Sequence, residues 1–150
     1  MNLTISQAKP IDIKPMAALI KELFTIESDF PIDENKQIQA LSMLVPDAMC
    51  DVIVAKVDDV IVGMATMQPV ISTAEGGYVG IIEDVVVTRA YRGKHIGSRL
   101  IAFLEASATK KGFKAVKLVA DRTNADALHF YKSLKFSQTQ LMMLRRRLPS

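Results

Sequence analysis

The chain holds one cysteine, Cys50, and two histidines, His95 and His129. A lone thiol closes no intramolecular disulfide, and two imidazoles far from it in sequence offer no zinc-ligand spacing, so no metal is expected. No apolar run approaches the ~18–20 residues of a membrane-spanning helix, and the opening MNLTISQAKP has neither a basic n-region nor an apolar h-region. A soluble, cytoplasmic protein with no membrane partner is the expectation. Net charge is only +3, too mild to argue for nucleic acid, and Arg145-Arg146-Arg147 lacks the interleaved aromatics of a base-stacking surface. Two familiar phosphate loops are absent as well. Neither G-x-x-x-x-G-K-[ST] nor G-x-G-x-x-G occurs, which removes the motif basis for an ATP-type or NAD-type protein. Nothing reads as a linker, a repeat or a low-complexity tract.

What remains is 150 residues, 49% of them apolar, enough for one domain, residues 1–150, with a substantial core. Cys50 reads as a small core residue. Leu3–Gln7 alternates weakly, as an opening strand. Asp12 is placed to cap a helix with Pro15 in its first turn and Met16, Leu19, Ile20, Leu23 and Phe24 on one face, fading near Ile26. The acidic loop Glu27-Ser28-Asp29-Phe30-Pro31 precedes a shorter helix after Asp33, with Ile38, Leu41 and Leu44 inward and Pro46 as its stop. Asp51–Val57 and residues 60–70 are β-rich runs joined by Asp58-Asp59, a two-residue hairpin signal. Gly76-Gly77 marks a turn before a strand over 78–88. Ile96, Leu100, Ile101, Phe103, Leu104 and Ala108 keep helical spacing up to Lys111, and Gly112 is placed to end that helix. A strand over 115–120 follows. Asn124 then opens a helix with Ala127, Leu128, Phe130, Tyr131 and Leu134 on one face, and a last strand or pair of strands falls over 136–144. The order β-α-α-β-β-β-α-β-α-β is an α/β layout with a hairpin-rich first half.

Charge divides the chain unevenly. Residues 1–84 hold five Lys/Arg against thirteen Asp/Glu, and residues 85–150 hold fourteen against three. The sign changes in VVVTRAYRGKHIG, Val85 to Gly97, where a β-branched run meets Arg89, Arg92, Lys94 and His95 and then a long helix. A strand, a basic glycine-bearing turn and a helix start make an anion site, because the first helical turn presents unpaired N–H groups and the positive end of the dipole. An exposed basic turn with no ligand is the plainer alternative.

The segment Arg92-Gly93-Lys94-His95-Ile96-Gly97 resembles the acetyl-coenzyme A signature of the GNAT superfamily of N-acetyltransferases, [QR]-x-x-G-x-[GA] after an apolar strand. His95 stands where that signature usually has glycine. It must therefore present its N–H without needing a glycine-only backbone angle. Asn124-Ala125-Asp126-Ala127-Leu128-His129-Phe130-Tyr131 is similar to the second signature, N-x-x-A-x-x-F-Y, with Lys135 in place of the glycine before Phe136. Within the family, the run IIEDVVVTRAYRGKHIG resembles glucosamine-phosphate acetyltransferases, and the overall length and late helix resemble aminoalkylphosphonate acetyltransferases.

The resemblance implies a GNAT fold: a mixed central sheet of about six to seven strands, flanked by about four helices and splayed at the strand containing Val85. It implies acetyl-CoA as co-substrate, no metal, and a small-molecule primary amine as acceptor. Backbone N–H groups of Val85, Val86 and Val87 would bind the pantetheine arm and polarise the acetyl carbonyl. Arg92, Gly93, Lys94, His95, Ile96, Gly97 and Ser98 would hold the pyrophosphate, and Asn124 would touch the pantetheine while starting its helix. Glu83 is the chosen general base, with Asp84 its rival or an acceptor contact, since strand alternation sends the two to opposite faces. Tyr131 would protonate the leaving sulfur. Asp29, Phe30 and Tyr78 are the candidate acceptor walls. Direct transfer in a ternary complex is expected, because no cysteine is placed to carry the acetyl group. Dimerisation through 136–144 is a further expectation. A protein N-terminal or lysine acetyltransferase, and a non-catalytic CoA-binding regulatory module, remain the alternatives.

Overall fold

The computed structural model describes residues 1–27 and 32–150. They fall into two compact units, Met1–Leu118 and Val119–Ser150, taken in turn.

The first unit is a five-stranded sheet in the order β1 (Leu3–Gln7), β2 (Asp51–Val57), β3 (Val60–Ser72), β4 (Gly77–Val87) and β5 (Val116–Leu118). The first four strands are antiparallel neighbours, and β5 joins β4 in parallel. Parallel pairing needs a crossover, which α3 (Ile96–Lys110) supplies. Helices α1 (Ile13–Ile26) and α2 (Glu34–Leu44) come between β1 and β2. Alternation along β2 decides the two layers. Val52 and Val54 pack with Met16, Ala17, Leu19, Ile20 and Leu41 of α1 and α2, and with Met64 and Val86. Ile53 and Ala55 point to the other face, where α3 lies against β2, β3 and β4 and buries Ile96, Leu100, Ile101, Leu104 and Ala108.

Local chemistry sets the element ends. Asp58 and Asp59 both take positive φ, +49° and +69°, the mirror-image turn that suits the twist of a two-residue hairpin. Asp33 caps α2 by accepting the Lys36 N–H at 3.4 Å. Gly112, at φ +77°, ends α3: its N–H bonds Thr109 O at 3.1 Å, and the Phe113 N–H bonds Ala108 O at 2.9 Å. Asp12 differs from expectation. A 3₁₀ turn, Pro10–Asp12, precedes α1, and the Asp12 carboxylate turns back to accept the Lys9 N–H at 2.8 Å and to pair with Lys56 at 3.3 Å, capping nothing on α1. Buried Asp51 is satisfied by Gln7 Nε2, Ser107 Oγ and Lys111 Nζ at 2.6, 2.9 and 2.8 Å, which ties the end of α3 to the edge of the sheet. Cys50 lies half-buried in the turn before β2 and not in the core, and burial and Asp47 push its thiol pKa up.

The second unit holds α4 (Ala125–Ser133). Its half-buried positions are Ala127, Leu128, Phe130 and Tyr131, continued by Leu134, which is the face the spacing predicts. The expected strand or strands over 136–144 are not formed. Leu141 and Leu144 are 86% and 85% exposed, and the run FSQTQLMML sets four polar residues before four apolar ones, without the alternation that gives a strand one buried face. Among the described residues five strands therefore stand where about six to seven were expected.

Candidate functional site

The site begins where β4 loses a neighbour. β5 pairs only with Gly80, Ile81 and Ile82, so residues 83–87 have no ladder partner on that edge among the described residues. On its other edge β4 pairs with β3 through an irregularity: Thr66 opposes Glu83 and Met64 opposes Val86, so β4 carries one extra residue. That is a β-bulge, centred on Asp84 at φ +52°. Thr66 Oγ1 pins it by donating to Glu83 O at 3.0 Å. The splay expected at Val85 is present, since past Ile82 one edge of β4 has no ladder partner among the described residues.

The bulge also brings carboxylates together. The expectation that Glu83 and Asp84 face opposite ways rested on strict alternation, which the extra residue suspends. Glu83 is exposed and shares the face of Thr66 and Val86, the face covered by α1. Asp84 is half-buried, and its pKa is raised to about 6, first by burial and then by repulsion from Glu83 and from Glu27 at the end of α1.

Past Val87 the chain bends into the basic turn. The Thr88 N–H extends the β3 ladder to Val62 O at 2.8 Å, and a 3₁₀ turn follows over Arg89–Tyr91. Arg92 folds back on the open edge of β4: its Nε donates to Val87 O at 2.9 Å and its Nη2 meets Glu22 Oε1 at 3.3 Å. Gly93 takes φ +75° with open space where a side chain would be. His95 takes φ +63° and ψ 17°. This is not a glycine-only angle, as expected for histidine at this position. The left-handed conformation is kept, and histidine is among the residues that tolerate it better than most. No side chain caps α3, unlike α2 and α4. The N–H groups of Ile96, Gly97 and Ser98 have no intrahelical acceptor, and exposed Lys94 and Arg99 flank them in sequence. Uncapped donors, a positive dipole end and these cations fit a diphosphate.

In the second unit, Asn124 Oδ1 caps α4 by accepting the Ala127 N–H at 3.1 Å. The Tyr131 ring packs between Phe130 and Phe136 at centroid distances of 5.1 and 5.8 Å. Lys135 holds φ +70° where the signature has glycine.

Not every expected residue gathers at the bulge. Tyr78 lies at the far end of β4, 42% exposed and against Phe113, about 17 Å along the strand from Glu83 at ~3.4 Å per residue. Asp29 and Phe30 lie outside the described residues. Glu22 was missed. It sits on α1, and nothing within a helical turn marks it, because its partners follow 66 to 70 residues later. Among the described residues no cluster of three His, Cys, Asp or Glu is placed to hold a metal ion, and no helix is long and apolar enough to cross a membrane.

A bulged β4, splayed from β5 and running through a glycine turn into an uncapped helix, is the architecture of an acetyl-CoA-type acyltransferase fold. Residues 16–136 match the Acetyltransferase (GNAT) family, and the chain belongs to it. It is 36% identical over 67 residues to glucosamine 6-phosphate N-acetyltransferase 1 of Dictyostelium discoideum, covering 45% of this chain and 41% of that one. It is 29% identical over 79 residues to aminoalkylphosphonate N-acetyltransferase of Salmonella typhimurium, covering 53% and 51%. These matches span about half the length, or less, of each relative. Its fold superposes on a predicted acetyltransferase with acetyl-CoA from Clostridium acetobutylicum, with TM-score 0.81, 16% identity and coverage of 97% and 96%.

Proposed function

We propose that this chain is an N-acetyltransferase that moves the acetyl group of acetyl-CoA to the primary amine of a small molecule, directly, in a ternary complex. The observation that carries the reading is the continuity of one segment: β4 parts from β5 after Ile82, bulges at Asp84, and runs through the Arg92–Gly93–Lys94–His95 turn into the uncapped start of α3. The amide donors at residues 96–98 and the charge of Lys94 would hold the pyrophosphate. The open edge at Val85–Val86–Val87 would bind pantetheine and donate to the oxyanion that forms as the amine attacks the thioester.

In that step the C–N bond forms and the C–S bond breaks. The Glu83–Asp84 pair takes the proton the amine sheds, directly or through water. Tyr131 gives its hydroxyl proton to the departing thiolate, and Asn124 contacts the pantetheine; these two roles rest on the second signature alone. The acceptor is proposed to be a cationic amine, because Glu27, Glu83 and Asp84 together favour an ammonium and disfavour a phosphate.

Thermal melts and a thiol-release assay test the reading. Acetyl-CoA at about 100 Kd should stabilise the fold by ~2.7 kcal/mol, while pantetheine without its phosphates should do little. Stabilisation by ATP or NAD with none by CoA would remove the cofactor assignment. Binding of acetyl-CoA with no thiol released to any amine would leave a CoA-binding module.

A further inference from the structure

We propose that Glu22 is a positioning residue for the cofactor turn, a latch from α1 that holds residues 88–92 in the shape acetyl-CoA requires. The inference rests on the cofactor reading above and adds a residue that neither signature contains.

Glu22 accepts three hydrogen bonds from one short segment. Its Oε1 takes the Arg89 N–H at 2.9 Å and Arg92 Nη2 at 3.3 Å, and its Oε2 takes the Thr88 hydroxyl at 3.0 Å. The segment has few bonds of its own: the Tyr91 N–H to Thr88 O at 2.9 Å and the Arg92 N–H to Arg89 O at 3.3 Å. Directly after it come two left-handed residues, Gly93 and His95 at φ +75° and +63°. A turn with two such angles and only two closing bonds of its own has many competing shapes. An external carboxylate bonded to its backbone, its hydroxyl and its guanidinium removes them before the cofactor arrives.

The latch also assigns Arg92 a different task from the one its place in the signature suggests. With Nε on Val87 O and Nη2 on Glu22, its guanidinium closes the turn onto β4, and its charge is shared with a carboxylate. Phosphate attraction is left to the α3 amides, Lys94 and Arg99. Glu22 touches no reacting atom, so its loss should weaken cofactor binding and spare the chemical step.

The experiment is steady-state kinetics on the full chain, with acetyl-CoA and amine varied separately, alongside ligand-free melts. Glu22→Ala should raise the KM for acetyl-CoA ~10-fold, as expected for the loss of bonds to a charged acceptor, with kcat and the amine KM within about threefold. Glu22→Gln keeps a carbonyl acceptor for the Arg89 N–H and should restore most of the affinity. Should Glu22→Ala fail to fold, Thr88→Val removes one of the three bonds at constant shape and should raise that KM about two- to threefold. An unchanged acetyl-CoA KM in the folded variants overturns the latch, and so does a fall of kcat in step with stability that Glu22→Gln does not rescue. If the parent binds acetyl-CoA and the alanine variant binds it equally, only the latch is lost. If the parent binds none, the cofactor reading falls and the latch with it.

Discussion

Asp84 combines two unfavourable features in one residue, a left-handed backbone at φ +52° and a half-buried carboxylate with its pKa raised to about 6. Asparagine tolerates that backbone angle as well as aspartate does, so Asp84→Asn isolates the charge. A carboxyl whose folded pKa lies above its unfolded value of 3.8 stabilises the fold fully below about pH 4 and loses that contribution as pH rises through about 6. Asp84→Asn should therefore be more stable than the parent by ~1–2 kcal/mol near pH 7.5, after discounting for partial exposure, and indistinguishable below pH 4. Urea melts across pH 4–8 check this, and a difference that does not vary with pH would contradict it. If the pair also takes the proton of the amine, the parent's kcat/KM should fall below pH ~6, and the variant should lose that limb.

Two helix ends in this chain share one geometry and differ in one residue. In α3 the residue after the cap is Gly112; in α4 it is Lys135, at φ +77° and +70°. Both ends make the same crossed pair of bonds. In α4 the Lys135 N–H reaches Lys132 O at 2.9 Å and the Phe136 N–H reaches Tyr131 O at 3.0 Å, with the Tyr131 and Phe136 rings in contact. A side chain in this region costs about 1–2 kcal/mol, partly offset by the greater freedom glycine has when unfolded. Lys135→Gly should stabilise the chain by ~0.5–1 kcal/mol, or about 1–4 °C, whereas Gly112→Ala should destabilise it. A neutral or destabilising Lys135→Gly would show that the lysine side chain contributes a contact that outweighs its backbone strain. The two glycines missing from the signatures are thus missing as residues only, since the backbone angles they usually permit are kept at both positions.

For the molecule as a whole, the change of charge sign along the chain falls inside β4, at the bulge. Glu27, Glu83 and Asp84 lie before the change, and the basic turn and the start of α3 lie after it. This is the distribution that the proposed transfer from a polyanionic donor to a cationic amine would want. With acetyl-CoA saturating, kcat/KM for a diamine or an amino-acid-derived amine should fall several-fold as the Debye length shrinks from ~30 Å at 0.01 M salt to ~3 Å at 1 M. An amine bearing phosphate or phosphonate should react poorly at low salt and gain or hold steady as salt rises. The opposite ranking would show that the carboxylates at the bulge do not face the acceptor.

The residues alone determined whatever depends on neighbours within a turn or two. The apolar spacing of α1, α3 and α4, the Asp58-Asp59 hairpin, the Gly112 stop, the Asn124 cap and the strand-turn-helix order of 78–110 are all of this kind, and the basic turn was legible with them. Long-range partners decided the rest. The bulge at Asp84 is a matter of register between β4 and β3, one extra residue between the Thr66 and Met64 pairings, and no local pattern records that register. Asp12 gave up its cap for Lys9 and Lys56, and residues 136–144, whose polar and apolar residues are grouped and do not alternate, form no strand. Glu22 is the clearest case. One carboxylate on the side of a helix differs from any other until folding brings it to three donors that lie 66 to 70 residues further along the chain.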